Sequence, residues 1–336
     1  MRVSLLFQQA RGSLLPKIIK GIIMKHNKII TALGLWAVSA TCAYATTVGF
    51  SQVGSESGWR TSFSEAVKAE AKQRGIDLKF ADAQQKQENQ IKAVRSFIAQ
   101  GVDAIIIAPV VETGWKPVLR EAKRANIPVV IVDRNIKVDD DSLFLTRIAS
   151  DFTEEGRKIG QWLMDKTQGN CDIAELQGTV GATAAIDRAT GFNQVIANYP
   201  NAKIVRSQTG EFTRAKGKEV MEGFLKAQNG QPLCAVWAHN DEMALGAVQA
   251  IKEAGLKPGK DILIVSVDGV PDYFKAMADG DVNATVELSP YLGGPAFDAI
   301  DAYLKGNKEQ PKLISTTGDV FTQETAAAEY EKRRHQ

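Results

Sequence analysis

Ala104-Ile105-Ile106-Ile107-Ala108 is apolar at every position, and that run decides the fold class. A strand with one face in water alternates apolar and polar residues, whereas an uninterrupted β-branched run suits a parallel strand covered by helices on both faces. Outward from it the pattern repeats. Upstream, Ile91, Val94 and Ile98 recur at helical spacing and Gly101 stops the helix; downstream, a helix runs to Ala125 and the strand Pro128-Val129-Val130-Ile131-Val132 follows. Further back, Val48-Gly49-Phe50 opens a strand, Phe63, Ala66, Val67 and Ala71 mark a helix closed by Gly75, and Ile76 to Phe80 alternates as a strand.

The same grammar restarts near Cys171. Strands are read at Ile173 to Leu176, Lys203 to Ser207, Ala235 to Ala238 and Ile262 to Val267, with helices beginning near Ala184, Thr213, Asp241 and Pro271. Two successive βαβα blocks predict an α/β protein of two doubly wound parallel-sheet lobes. Chain crossings are expected near Ala149-Ser150, Leu288-Ser289 and Thr316-Thr317, giving one lobe of residues 46–149 plus 289–316 and another of 150–288 plus 317–336. A helix from Pro295 to Leu304 and the strand Asp319-Val320-Phe321 cross back and forth. A length of 336 residues suits two such cores.

The first 45 residues differ from the rest. They carry six basic residues (Arg2, Arg11, Lys17, Lys20, Lys25, Lys28) and no acidic one. Lys25 and Lys28 precede the apolar run Ile29 to Val38, and Ala43-Tyr44-Ala45 ends the segment, which reads as an export signal cleaved after Ala45. Met24, directly before that pattern, is the expected translation start. Cys42 raises lipidation as a lesser alternative, which Ser39 and Thr41 suit badly. Without those six residues, 35 Lys+Arg face 39 Asp+Glu, a net of −4, so the sequence pI of 8.3 reflects the leader. No basic patch remains to suggest nucleic acid.

In open α/β sheets, ligands bind outside the carboxyl ends of the strands. The first strand is followed by Ser55-Glu56-Ser57-Gly58-Trp59-Arg60 and the fourth by Asp133-Arg134. In the second block the loops lead to Asp187-Arg188, Glu211-Phe212, His239-Asn240-Asp241 and Asp268-Gly269, and Glu287 ends Ala284-Thr285-Val286. Carboxylates accept paired hydroxyl protons, Arg and Asn donate, and an indole offers a flat apolar wall, so this set suits a polyol. Asp133 and Arg134 alone could be a surface turn pair. Seven strand ends converging on one crevice favour a site. Trp59 is read either as a core residue or as the wall of the site, and Phe212 as a ligand contact or a staple of the next helix. Asp241 is given to capping that helix and Asn240 to the ligand.

With those residues in view, the chain resembles the periplasmic sugar-binding proteins of ABC transporters, in the ribose- and galactose-binding group and its galactofuranose-binding branch. The likeness rests on 48–60 (VGFSQVGSESGWR), 84–97 (QQKQENQIKAVRSF), 175–182 (ELQGTVGA) and 238–241 (AHND). It implies the type I periplasmic binding protein fold, a periplasmic address and a monosaccharide, galactofuranose, as ligand. It also implies a membrane permease as partner, a monomer, and no cofactor, metal or catalysis. Ligand contacts are implied at Ser55, Trp59, Arg60, Asp133, Arg134, Arg188, Asn240, Asp268 and Glu287. Ribose binders typically carry Gln where Glu287 stands, so the carboxylate argues against ribose.

Two other function classes are weighed. A dehydrogenase needs G-x-G-x-x-G after the first strand; Gly54-Ser55-Glu56-Ser57-Gly58 lacks that spacing and puts an acid at the pyrophosphate position. A sugar-responsive repressor needs an N-terminal DNA-binding domain where the leader stands. Finally, Cys171 and Cys234 open the first and third strands of the second block. The order 2-1-3-4-5 makes those strands neighbours, so a disulfide is expected in an oxidising compartment.

Overall fold

The computed structural model describes residues 45–227, 232–316 and 318–334. The expected leader up to Tyr44 and Thr317 of the third expected crossing lie outside them. In chain order the elements are β1 (Thr47–Gln52), α1 (Gly58–Gln73), β2 (Asp77–Asp82), α2 (Gln87–Gln100), β3 (Ala104–Ile107), α3 (Lys116–Arg124), β4 (Val129–Val132), β5 (Thr146–Ser150), α4 (Phe152–Thr167), β6 (Asn170–Gln177), α5 (Thr183–Ile196), β7 (Asn201–Thr209), α6 (Arg214–Lys226), β8 (Ala235–Ala238), α7 (Asp241–Glu253), β9 (Leu263–Asp268), α8 (Pro271–Ala278), β10 (Ala284–Glu287), α9 (Gly293–Leu304), β11 (Leu313–Thr316), β12 (Val320–Thr322) and α10 (Gln323–Arg333).

Two six-stranded sheets result, ordered β11-β5-β4-β3-β1-β2 and β12-β10-β9-β8-β6-β7. Every neighbouring pair is parallel except β10 with β12. The structure therefore has the two doubly wound α/β lobes expected, both within one compact unit from Ala45 onward. The apolar run that decided the fold faces two ways. Ile105 and Ile107 pack with Trp115, Val118 and Leu119, while Ala104 and Ile106 join Phe50 and Phe63 on the other side.

Four elements were not read from the sequence: β5, β11, α4 and α10. β5 (TRIAS) holds only Ile148 and Ala149 as apolar residues, between Thr146-Arg147 and Ser150, too short a run to signal a strand. Helix α4 is announced only by its cap, Asp151, whose side chain accepts from the Glu154 amide at 2.9 Å.

Helices α4 and α5 touch backbone to backbone. A Cβ at Gly156 would stand 2.1 Å from the Arg188 carbonyl oxygen, and one at Gly191 would stand 1.9 Å from that of Thr153. Only glycine permits this approach. Behind it, Phe192 stacks on Trp237 with ring centroids 5.0 Å apart.

Cys171 of β6 and Cys234, just before β8, form the expected disulfide, with Cα atoms 5.2 Å apart. Strands β6 and β8 are adjacent, as the order requires.

Candidate functional site

The carboxyl ends of both sheets face one crevice. It is lined by Glu56, Ser57, Trp59, Arg60, Asp133 and Arg134 from the first lobe. Ala184, Arg188, Phe212, Asn240, Asp268 and Leu288 complete it. The space free of protein atoms, open mouth included, is about 290 Å³.

On the first lobe, four charges interlock. Ser57 caps α1 by accepting from the Arg60 amide at 3.0 Å, which fixes the turn that presents Trp59 and Arg60. The Arg60 guanidinium then donates to Asp133 at 2.8 Å and to Glu56 at 3.2 Å. Burial alone would lower the Arg60 pKa, but Asp133 and Glu56 hold it above its ordinary value. Arg134 donates to the Val110 carbonyl at 3.0 Å and lies 3.8 Å from Glu56. Burial and the charge of Arg60 pull Arg134 down to about 10, so it still carries its charge near neutral pH. Asp133 adopts φ 61°, a left-handed conformation that turns the chain out of β4.

On the second lobe, Arg188 projects from α5. It donates to Glu155 at 2.8 Å and to the His239 carbonyl at 2.6 Å, and its other terminal nitrogen stands 3.8 Å from Asp268. Burial raises Glu155 above the usual carboxylate range, and raises Asp268 well above it. Phe212, at φ 63°, lies across Gly178, where a Cβ would meet its ring at 1.9 Å. The Arg134 guanidinium stands 5.0 Å from the Phe212 ring across the cleft, within cation–π range. Trp59 is 4% exposed; it lines the cleft and also packs on Phe63.

Several charged atoms of this site find no hydrogen-bond partner among the described residues: Glu56 Oε2, Arg134 Nε, Arg188 Nη2 and Glu155 Oε1. A buried charged atom left without a partner is costly, and three of these four belong to residues lining the crevice.

Nine of the eleven residues selected from the sequence line this crevice; two do not. Ser55 is exposed. Glu287 instead lines a neighbouring pocket, where Arg333 of α10 donates to it at 2.5 Å. The assignment of neighbours Asn240 and Asp241 is also revised. Asn240 caps α7, accepting from the Met243 amide at 3.0 Å while donating to the Phe212 carbonyl at 3.1 Å. Asp241 is wholly buried and bonds elsewhere. The sequence reading missed Ser57, Ala184 and Leu288 as wall residues and Glu155 as the partner of Arg188. Glu155 follows the Asp151 cap by four residues, the one signal that could have found it.

Residues 48–308 match the model of the periplasmic binding protein domain. The chain belongs to this family. Among relatives of this periplasmic binding protein, the galactofuranose-binding protein YtfQ of Escherichia coli (strain K12) is 58% identical over 313 residues, 93% of this chain and 98% of that one. A solved structure, the periplasmic binding protein component of the arabinose ABC transporter from Shewanella sp. ANA-3 bound to α- and β-L-arabinofuranose, is 97% identical. It covers 86% of this chain and 96% of its own, with a TM-score of 0.85. A Mycobacterium smegmatis structure in complex with β-D-fucofuranose is 48% identical, covering 87% and 96%, with a TM-score of 0.84. Among the described residues no helix is long and apolar enough to cross a membrane.

Proposed function

We propose that the chain binds one furanose sugar, L-arabinofuranose, in the cleft between its lobes and delivers it to the permease of an ABC importer in the periplasm. The observation that carries this reading is the set of cleft-lining charged atoms, contributed by both lobes, that lack partners among the described residues. Sugar hydroxyls donate and accept, so a single ring held between the lobes supplies what Glu56, Arg134 and Arg188 need.

The sugar itself follows from comparing ligands. L-Arabinofuranose has the ring configuration of D-galactofuranose at C2, C3 and C4, and D-fucofuranose is its 6-deoxy form. These furanoses differ only in the arm on C4, so one polar constellation can read the ring of each. The 97%-identical arabinofuranose complex moves the reading from galactofuranose, expected from the sequence, to L-arabinofuranose. Galactofuranose stays as the second reading on the strength of the E. coli relative.

The cleft charges pair with one another instead of presenting a nucleophile to a base, so binding without chemistry is the proposed activity. The leader's pattern of charge, apolar run and small residues supports export with cleavage after Ala45. We place the lobe boundaries at 149/150, 288/289 and 316/317, since α9 packs on α1 while α10 packs on α8, and we take the protein to act as a monomer.

Calorimetric titration with L-arabinose, D-galactose, D-fucose and D-ribose tests the proposal, since each sugar supplies its furanose forms by mutarotation. L-Arabinose binding tightest supports it. D-Galactose binding tighter restores the second reading, and D-ribose binding as tightly as either overturns both.

A further inference from the structure

Asp268 ends β9 with φ 131°, a backbone region that residues with side chains rarely occupy. Its carboxylate reaches the cleft, where its ion-pair partner is Arg188 at 3.8 Å. Something outside the pair must hold the turn in this shape.

Behind it stands Asp241, 0% exposed and absent from the cleft wall. One oxygen of its carboxylate accepts from the amides of Gly269 at 2.7 Å and Val270 at 2.8 Å, the two residues directly after Asp268. The other accepts from Thr285 Oγ1 at 3.0 Å and from the Ser266 hydroxyl. Ser266 lies in β9 and Thr285 in the neighbouring β10, so the carboxylate joins the turn to the two strands on which it is built. Burial raises the Asp241 carboxyl to about 7, while the four donors converging on it favour its ionised form. Asp241 is the first residue of α7, whose amides at that end also favour a negative charge.

We propose that Asp241 is the positioning residue for Asp268: by holding the Gly269 and Val270 amides it keeps the strained turn closed and aims the Asp268 carboxylate at the sugar. The inference rests on the sugar-binding reading of the cleft and adds a residue that never touches the ligand. Asn at position 241 is the same size but has one acceptor oxygen instead of two, so it cannot accept from the two amides and the two hydroxyls together.

The test is a double-mutant cycle read by calorimetry with L-arabinose, using Asp268→Asn, Asp241→Asn and the pair, with circular dichroism and unliganded melting as folding controls. Asp241→Asn is expected to weaken binding by about tenfold or more, as loss of a buried charged acceptor would. The pair should bind no more weakly than Asp268→Asn alone, within roughly twofold, because coupled residues are not additive. A residue with a merely structural role would lower the melting temperature while its effect on affinity multiplied with that of Asp268→Asn. Such additivity, or an unchanged affinity in folded Asp241→Asn, overturns the inference. Should Asp241→Asn fail to fold, Thr285→Val and Ser266→Ala each remove one donor and decide instead: several-fold weaker binding supports the inference, and unchanged binding in both overturns it. If Asp268→Asn alone binds sugar as the parent does, the assignment of the cleft fails, a result distinct from failure of the positioning role.

Discussion

The indole nitrogen of Trp59 donates to the carbonyl oxygen of Leu288 at 2.6 Å, across 229 positions of sequence. Trp59 lies in the first turn of α1, and Leu288 follows β10, where the chain returns from the second lobe to the first. One side chain therefore forms a wall of the cleft and ties that wall to a crossing between lobes. Trp59→Ala removes both and is expected to cost roughly 1–3 kcal/mol of sugar affinity. Trp59→Phe keeps an apolar face and should lose less. Titration calorimetry on both variants measures this, and an unchanged affinity in the alanine variant would return Trp59 to the core alone.

Asp133 neutralises Arg60 inside the protein, with both side chains 3–4% exposed. Asp133→Ala strands that guanidinium and withdraws a hydroxyl acceptor from the sugar. The expected loss is about 2–5 kcal/mol of binding energy, much of it the penalty of an unpaired charge. Binding within a few-fold of the parent would remove Asp133 from the site.

Glu242 bridges the lobes. Its carboxylate accepts from the Gly58 amide at 3.1 Å, at the N-terminus of α1, and from Arg214 at 2.7 Å in its own lobe. A carboxylate at a helix N-terminus is favourable, and this one reaches α1 only when the lobes meet. Sugar should compact the molecule, and Glu242→Ala should expand the unliganded protein and weaken binding by about 1 kcal/mol. Small-angle scattering with and without sugar reads both. Equal radii of gyration in all four samples would argue against closure.

His239 is fully buried, with Glu175 at 3.1 Å from one ring nitrogen and the Gly178 amide donating to the other at 3.3 Å. Burial holds it below its ordinary value of 6.5, although Glu175 pulls the other way. The unfolded chain therefore takes up a proton, as pH falls below that value, that the folded chain resists. Stability from this group is complete above pH 6.5 and declines below it. Urea unfolding at several pH values should show a shallower decline in His239→Gln, and equal slopes would exclude His239 as a contributor.

The disulfide Cys171–Cys234 lies at the opening ends of β6 and β8, away from the cleft. Reduction is expected to lower stability by about 2–4 kcal/mol and leave sugar affinity nearly unchanged. Two free thiols in unreduced, denatured protein would contradict the bond.

What could be read from sequence follows burial. Strands β3 and β4 are covered on both faces and show it in unbroken β-branched runs. Strand β11 lies at a sheet edge with Leu313 and Ser315 exposed, and its short sequence carries no such mark. At the site, the rule of strand ends located Asp133, Arg134 and Asp268 because backbone topology alone puts them there. Glu287 obeys the same rule and still lies outside the crevice wall, its carboxylate taken by Arg333, 46 residues later. Local pattern holds no trace of that partner. The cap was read one residue late, at Asp241 instead of Asn240, because two adjacent polar residues at a helix start present the same signal.

The glycine contact between α4 and α5 sets a limit on how this cleft can change. Arg188 sits on a stretch of α5 whose carbonyl leaves no room for a methyl group at Gly156, and Gly191 is equally confined against Thr153. Redesign toward another sugar therefore has one immobile reference point and one adjustable wall. Substitutions around Trp59 and Glu56 leave that contact alone, whereas enlarging either glycine would displace the Arg188 guanidinium from its place in the cleft wall.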